Sequence, residues 1–349
     1  MIGFEYGNTR IRARRTLLYD RSAYAELLTA NDVDQLTSML TAGPYRTDLE
    51  AAAVRMSGPA RIDAALSARL AREIREILGF YVGSPAIRLS VLARRWDVRN
   101  IVTLVRALAR RSGGTTPVLE LPAAGTMSGA VLDELASQGA LRPMLDLLVT
   151  WRLPSTQVVR SVRRVLPYLE RSGDPLLVEA AIQRGFALDI ADVVAERPDD
   201  GLSRQLRAEA DKIDLSTVAR LRRARIGGEP LPALKEMWLG TGSAHLPALE
   251  SLVVDDEPGR VMADLGPVPA GMVAAVRSWL VHGEATRLVD DLDVALLGLA
   301  RRAVVDDPLG IGVPVGYVWE LESEVRNLRL VARAVANRLE DVEDRLLLT

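Results

Sequence analysis

The chain has 349 residues, 48% hydrophobic and 26% charged, so it is long enough for two or three packed domains and too apolar to be disordered. A formal net charge of −2 excludes the strongly basic footprint of a nucleic-acid-binding domain. With no Cys, a disulfide framework, a thiolate nucleophile and a Cys-based metal site are all excluded. Aromatic residues make up only 4%, and a core of Leu, Val, Ala and Ile ringed by Arg and Glu favours helices over sheet. All the positive charge is Arg except Lys212 and Lys235.

The chain opens MIGFEYGNTRIRARR, with no apolar stretch ahead of a small-residue cleavage site, so no secretory signal is expected. No run of about 18 apolar residues predicts a membrane span, and the expected compartment is the cytoplasm. The arginines at 10, 12, 14 and 15 suit either a solvated helix face or a phosphate or lipid headgroup. Residues 62–79 form an amphipathic helix with Ile62, Leu66, Leu70, Ile74 and Leu78 in one i, i+4 row. Residues 129–150 and 156–170 predict further helices. On either side of these two, 112–129 and 227–232 are rich in Gly and Pro and read as linkers. They divide the chain into three pieces, 1–120, 121–228 and 229–349.

The ends of the three pieces repeat one another. Residues 97–107 read DVRNIVTLVRA, 214–224 read DLSTVARLRRA and 324–334 read EVRNLRLVARA. At about 100° per residue, Val98, Ile101, Leu104, Val105 and Leu108 share one helix face. Val325, Leu328, Val331, Ala332 and Val335 occupy the same offsets, while the middle copy keeps Leu215, Val218 and Leu221 and then turns to Arg222 and Arg225. The repeat's polar positions are Asp97 and Asn100, Asp214 and Thr217, Glu324 and Asn327. The acid opening each copy is expected at a helix N-terminus, capping free N–H groups. Asp63-Ala-Ala-Leu, 34 residues before Asp97, and Asp293-Val-Ala-Leu, 31 before Glu324, extend the match to a multi-helix unit. Arg106, Arg223 and Arg333 share one offset opposite the apolar stripe, with Arg99 and Arg326 on the same face. These arginines fit any of three roles: meeting the carboxylates of a partner, facing solvent, or bracing neighbouring helices.

Signatures of chemistry are sparse. The P-loop pattern is absent. Gly310-Ile-Gly312-Val-Pro-Val-Gly316 has the wrong spacing for a dinucleotide loop and reads as a turn before the last helix. His245 and His282 stand in no ligand spacing. Asp255-Asp256-Glu257 and Asp290-Asp291-Leu292-Asp293 read as a polar loop and a helix N-terminus rather than a two-metal site. No catalytic residue, metal or cofactor is expected.

Three stretches resemble the C-subunit family of V/A-type rotary ATPases, whose eukaryotic members are the d subunits. Tyr6-Gly7-Asn8-Thr9-Arg10-Ile11-Arg12-Ala13 is similar to the family's opening Tyr-x-Asn-x-Arg-x-Arg helix. Tyr24 to Tyr45 is similar to its short helix pair ending in Pro-Tyr, and Tyr317 to Leu330 to its late Glu-x-x-Asn-[IL]-Arg helix. Two departures stand out: Ala334-Val335-Ala336-Asn337 occupies the place of a family Gly-Lys, and Thr217 replaces the repeat Asn. The resemblance implies an all-α fold of three similar units around a pseudo-threefold axis, forming a funnel. It implies a non-catalytic adaptor whose base sits on the membrane rotor ring of c/K subunits and whose mouth receives the D and F subunits of the central stalk. Such an adaptor lies peripherally on the inner face of the membrane and passes torque for ATP-coupled proton or sodium transport. On that reading Arg10, Arg12 and the repeat arginines are the interface candidates. The rival readings are a helical scaffold for soluble partners, whose repeats would be shorter, roughly 34–47 residues, and a helical enzyme, which needs a clustered polar pocket.

Overall fold

The computed structural model describes residues 3–110, 121–226, 234–255, 262–339 and 342–348, without the Ser172 side chain. Among the described residues there are sixteen α-helices and no strand, as the composition predicts. The 227–232 linker and residues 112–120 of the first linker lie outside the described residues, and 121–128 carry no helix.

The helices fall into two compact units, and the division falls inside α6 (Ser84–Ala109), α15 (Ala285–Asp306) and, after its first residue, the helix Gly129–Ser137. The first unit holds α1 (Glu5–Arg15), α2 (Arg21–Leu28), α3 (Val33–Thr41), α4 (Arg46–Ala52), α5 (Gly58–Gly79), the start of α6, the end of α15 and α16 (Gly312–Asn337). The short helices α2 and α3 start where the sequence supplies caps. Asp20 accepts from the Ala23 N–H and Asp32 from the Gln35 N–H, while the Gln35 side chain reaches back to the Asn31 N–H. α5 and α16 form the axis of this unit, and α1, α2 and α3 pack on α16. On α5 the predicted row is buried from Ile62 to Ile74, but Leu78 is half-buried and Ile77 takes its place. An i, i+4 row drifts by about 40° per step, so by the fourth step it has left the face that Ile77 rejoins.

The second unit holds the end of α6, α7 (Gly129–Ser137), α8 (Leu141–Trp151), α9 (Thr156–Ser172), α10 (Leu176–Glu196), α11 (Gly201–Ile226), α12 (Leu234–Met237), α13 (Leu246–Val254), α14 (Ala270–His282) and most of α15. The helix expected over 129–150 is two helices, because Gly139 takes φ 71° between α7 and α8. α9 and α10 pack along their lengths, and Gly185 lets them approach: a Cβ there would lie 2.5 Å from the Val158 Cα and 2.8 Å from its N. Both neighbours are backbone and cannot rotate away. Gly185→Ala is therefore expected to lower stability by about 2 kcal/mol, the usual cost of overpacking, read as an earlier urea midpoint.

Candidate functional site

The N-terminal helix α1 spends most of its motif residues inside its own unit. Asn8 is buried and donates to the carbonyls of Leu309 and Gly310, both at 2.9 Å, while its Oδ1 accepts from the Tyr81 hydroxyl at 2.7 Å. Arg12 donates to the Pro308 carbonyl, and Arg14 pairs with Glu73 and Glu76 of α5. Arg15 grips Glu320 of α16 through two nitrogens, each at 2.6 Å, and Arg301 joins the same carboxylate at 3.1 Å. Arg10 is exposed and lies over the rings of Tyr6 and Phe80. The Arg-rich start thus ties α1 to α5, to α16 and to the turn before α16, although Arg10, Arg12 and Arg15 stay exposed.

A second cluster surrounds Glu324 on α16. Its carboxylate is buried and accepts the Tyr45 hydroxyl at 2.7 Å and the Tyr19 N–H at 2.6 Å. Tyr19 and Tyr45 stack with their planes 5° apart, and the buried Arg69 lies 4.5 Å above the Tyr45 ring while donating to the Pro44 carbonyl. Burial, ahead of every hydrogen bond, raises the Glu324 carboxyl above its ordinary value. Burial also raises the Tyr45 phenol well above its own, and pushes Tyr19 up to about 12. One turn on, Asn327 exchanges two hydrogen bonds with the main chain of Leu347, at 2.8 and 3.2 Å. Arg329 next reaches Asp63 and Ser67 of α5.

The second unit repeats the device on α11. Asp214 accepts the Leu239 N–H at 3.1 Å, and Asp211, one turn earlier, accepts those of Ser243 and Ala244 at 2.6 and 2.8 Å. Two carboxylates thereby hold the segment joining α12 to α13. The Oδ2 atom of each is buried with no hydrogen-bond partner among the described residues. Burial pushes Asp211 up to about 6 against the Ala244 and Ser243 N–H groups, and Asp214 up to about 7, with the Asp211 charge adding to the second.

The expectation that each repeat acid opens a helix is overturned. Asp97, Asp214 and Glu324 are residues 14, 14 and 13 of three helices that are each 26 residues long. All three are buried in the middle, where the helix's own N–H groups are already used. The acids on α11 and α16 instead satisfy main-chain N–H groups of a crossing segment. Asn100 and Asn327 are likewise buried, and Thr217 turns its hydroxyl back to the Ile213 carbonyl of its own helix. The departure of the middle copy has a physical reason: Arg222 donates to the carbonyls of Leu252 and Asp255 and Arg225 to that of Val253, meeting the unsatisfied C-terminal end of α13.

The repeat arginines divide. Arg99 pairs with Glu209 at 2.9 Å, and Arg106 with the buried Glu179 at 2.8 Å, both inside the second unit. Arg223 and Arg333 are exposed, and Arg326 is half-buried. Arg10, Arg12, Arg326 and Arg333 belong to the first unit and Arg99, Arg106 and Arg223 to the second. The run from Gly310 is a turn only at its first two residues, since α16 begins at Gly312. Asp290, Asp291 and Asp293 lie within α15 beyond its first turn, and Asp293 pairs with Lys212; Asp256 and Glu257 lie outside the described residues. Both His side chains are exposed, and no group of three His or acidic residues able to hold a metal occurs among the described residues. No described helix is long and apolar enough to cross a membrane.

Sequence reading missed Arg69, Glu320, Asp211 and the pair Arg95–Glu322, in which a 2% exposed guanidinium lies 4.1 Å over Trp319 and meets both carboxylate oxygens at 2.6 Å. The signal available for Arg95 was its place next to Trp96 on a helix whose neighbouring positions Val91, Leu92 and Val98 are apolar.

Residues 7–343 match the family described as ATP synthase (C/AC39) subunit. The chain belongs to this family. It is similar to the V-type ATP synthase C subunit of Deinococcus radiodurans, at 25% identity over 95% of this chain and 86% of that protein. The A-type ATP synthase C subunit of Haloquadratum walsbyi is 24% identical over 97% of this chain and 96% of its own, and that of Methanothermobacter thermautotrophicus 23% identical over 95% and 83%. In this C/AC39 member the three stretches that carry the resemblance meet inside one unit: Tyr45 reaches Glu324, and Asn8 reaches the turn that leads into α16.

Proposed function

We propose that this chain is the non-catalytic adaptor of a V/A-type rotary ATPase, joining the D and F subunits of the central stalk to the membrane rotor ring of c/K subunits. The observation that carries the reading is the family match over residues 7–343, with relatives named as C subunits of V-type and A-type ATP synthases. The proposal includes three similar units, 1–120, 121–228 and 229–349, set around a pseudo-threefold axis as a funnel on the inner face of the membrane. Its task is to pass torque for ATP-coupled proton or sodium transport. That demands stiffness and two interfaces, not an active site. Interiors packed at native density transmit strain instead of flowing, and carboxylates buried in mid-helix tie crossing segments to α11 and α16. Among the interface candidates, Arg10, Arg223 and Arg333 are exposed, whereas Arg99 and Arg106 already hold carboxylates of their own unit. The test is a pull-down of the full chain with the D and F subunits from the same cell. One-to-one binding that weakens about tenfold or more from low to high salt is expected of charge pairs at a wet rim. No binding by properly folded D and F overturns the reading in favour of a helical scaffold.

A further inference from the structure

The sequence of α9, TQVVRSVRRVLPYLERS, is strongly two-faced. Val158, Val159, Val162 and Leu169 are buried, and the helix packs on α8 and α10. Its outer face carries Arg160, Arg163, Arg164 and Arg171, all exposed. At 3.6 residues per turn these four lie within an arc of about 100°, along a length of about 16 Å. The one acid on the helix, Glu170, sits at the edge of that arc and is taken by Arg142, which also holds Asp146. None of the four arginines has an ion pair or side-chain hydrogen bond among the described residues.

Single arginines without a carboxylate occur elsewhere among the described residues, as at Arg21, Arg184 and Arg287, but α9 gathers four on one face. Elsewhere Arg14, Arg15, Arg72, Arg95, Arg99, Arg106 and Arg329 each hold a carboxylate. Like charges three and four residues apart repel along a helix, and Arg160 faces both Arg163 and Arg164 at those spacings. With a net charge of −2, the chain does not need four clustered cations for solubility.

We infer that the outer face of α9 is a docking surface for a carboxylate-rich helical protein surface, which supplies the acids this face lacks. The inference rests on the adaptor reading, and it adds a surface separate from the repeat arginines. Planar guanidinium forks at helical spacing match carboxylates at helical spacing in two-point pairs. A membrane surface fits less well. Interfacial helices bury Trp, Phe or Leu among the lipids, and the apolar face of α9 is already spent on α8 and α10.

The test compares the full chain with its R160Q/R164Q and R160K/R164K variants, using the D–F stalk pair as probe. Both positions are exposed, and Gln and Lys are as helix-compatible as Arg, so circular dichroism should show three equally folded proteins. Expected is a tenfold or greater loss of affinity at low salt for the Gln variant, a shallower salt dependence, and partial retention in the Lys variant. Unchanged affinity in the Gln variant overturns the surface while leaving the adaptor reading intact. Wild-type chain that fails to bind D–F at all removes both. Two further arms use anionic phosphatidylglycerol vesicles and sedimentation of the chain alone. If only vesicle binding, or only self-association, depends on Arg160 and Arg164, the protein-partner assignment is wrong.

Discussion

Replacing Asp211 and Asp214 together by Asn is expected to make the chain more stable at pH 8 by at least about 3 kcal/mol, the scale of one such group alone, and to change it little near pH 4. The native carboxyls sit at about 6 and about 7, above the ordinary 3.8, chiefly through burial on α11. In that direction the native state holds its protons more tightly than the unfolded chain. Wild-type stability contributed by this pair is full below about pH 4, falls as pH rises through the window from about 4 to about 7, and is lost above it. A tenfold change in proton affinity is worth about 1.4 kcal/mol, so a proton held about a hundredfold more tightly sets the expected scale. Asn is neutral throughout and keeps an oxygen to accept the N–H groups of Leu239, Ser243 and Ala244. Its amide group takes the place of the Oδ2 atoms that have no partner among the described residues. Urea midpoints of wild type and variant at the two pH values decide the matter. A variant no more stable than wild type at pH 8 would mean that the three N–H groups and the Arg207 charge outweigh the burial.

What was legible in the sequence follows from period and chemistry. The apolar offsets of the repeat fixed which face goes inside: Val98, Ile101, Leu104, Val105 and Leu108 are buried on α6, as are Val325, Leu328 and Val331 on α16. The same pattern cannot place a helix boundary. An acid followed by an apolar stripe looks alike as an N-cap and as a buried mid-helix acceptor, and only the crossing main chain at Tyr19 or Leu239 tells them apart. Arg222 and Arg225 were visible as a break in the stripe, but their reason lies 28 to 33 residues away in the chain, at the end of α13. For the same cause the local sequence showed α9 to be amphipathic but not that its arginines go without carboxylates, since an acid for Arg can come from a distant helix, as Glu320 does for Arg15 and Glu179 for Arg106.

The second large effect is expected at Glu324. Glu324→Leu should cost about 3–5 kcal/mol, because it leaves the Tyr45 hydroxyl and the Tyr19 N–H buried without an acceptor. A buried orphan donor costs about 1–3 kcal/mol each. Glu324→Gln keeps one oxygen for a donor and should cost about 1 kcal/mol. The sign of its pH dependence is set by the raised Glu324 carboxyl, whose chief cause is burial. Wild-type stability from this group declines as pH rises from the ordinary carboxylate value toward the raised one. The Gln penalty should therefore shrink, not grow, between about pH 5 and pH 8. Tyr45→Phe separates the partners: in the wild-type background it leaves one carboxylate oxygen without its donor, and in the Glu324→Leu background it removes an orphan. Phe at 45 should therefore destabilise the first and stabilise the second, and that change of sign in a urea-monitored double-mutant cycle is the signature of a direct hydrogen bond. The same sign in both backgrounds would mean that ring packing of Tyr45 between Tyr19 and Arg69, rather than the carboxylate, holds the Pro-Tyr segment against α16.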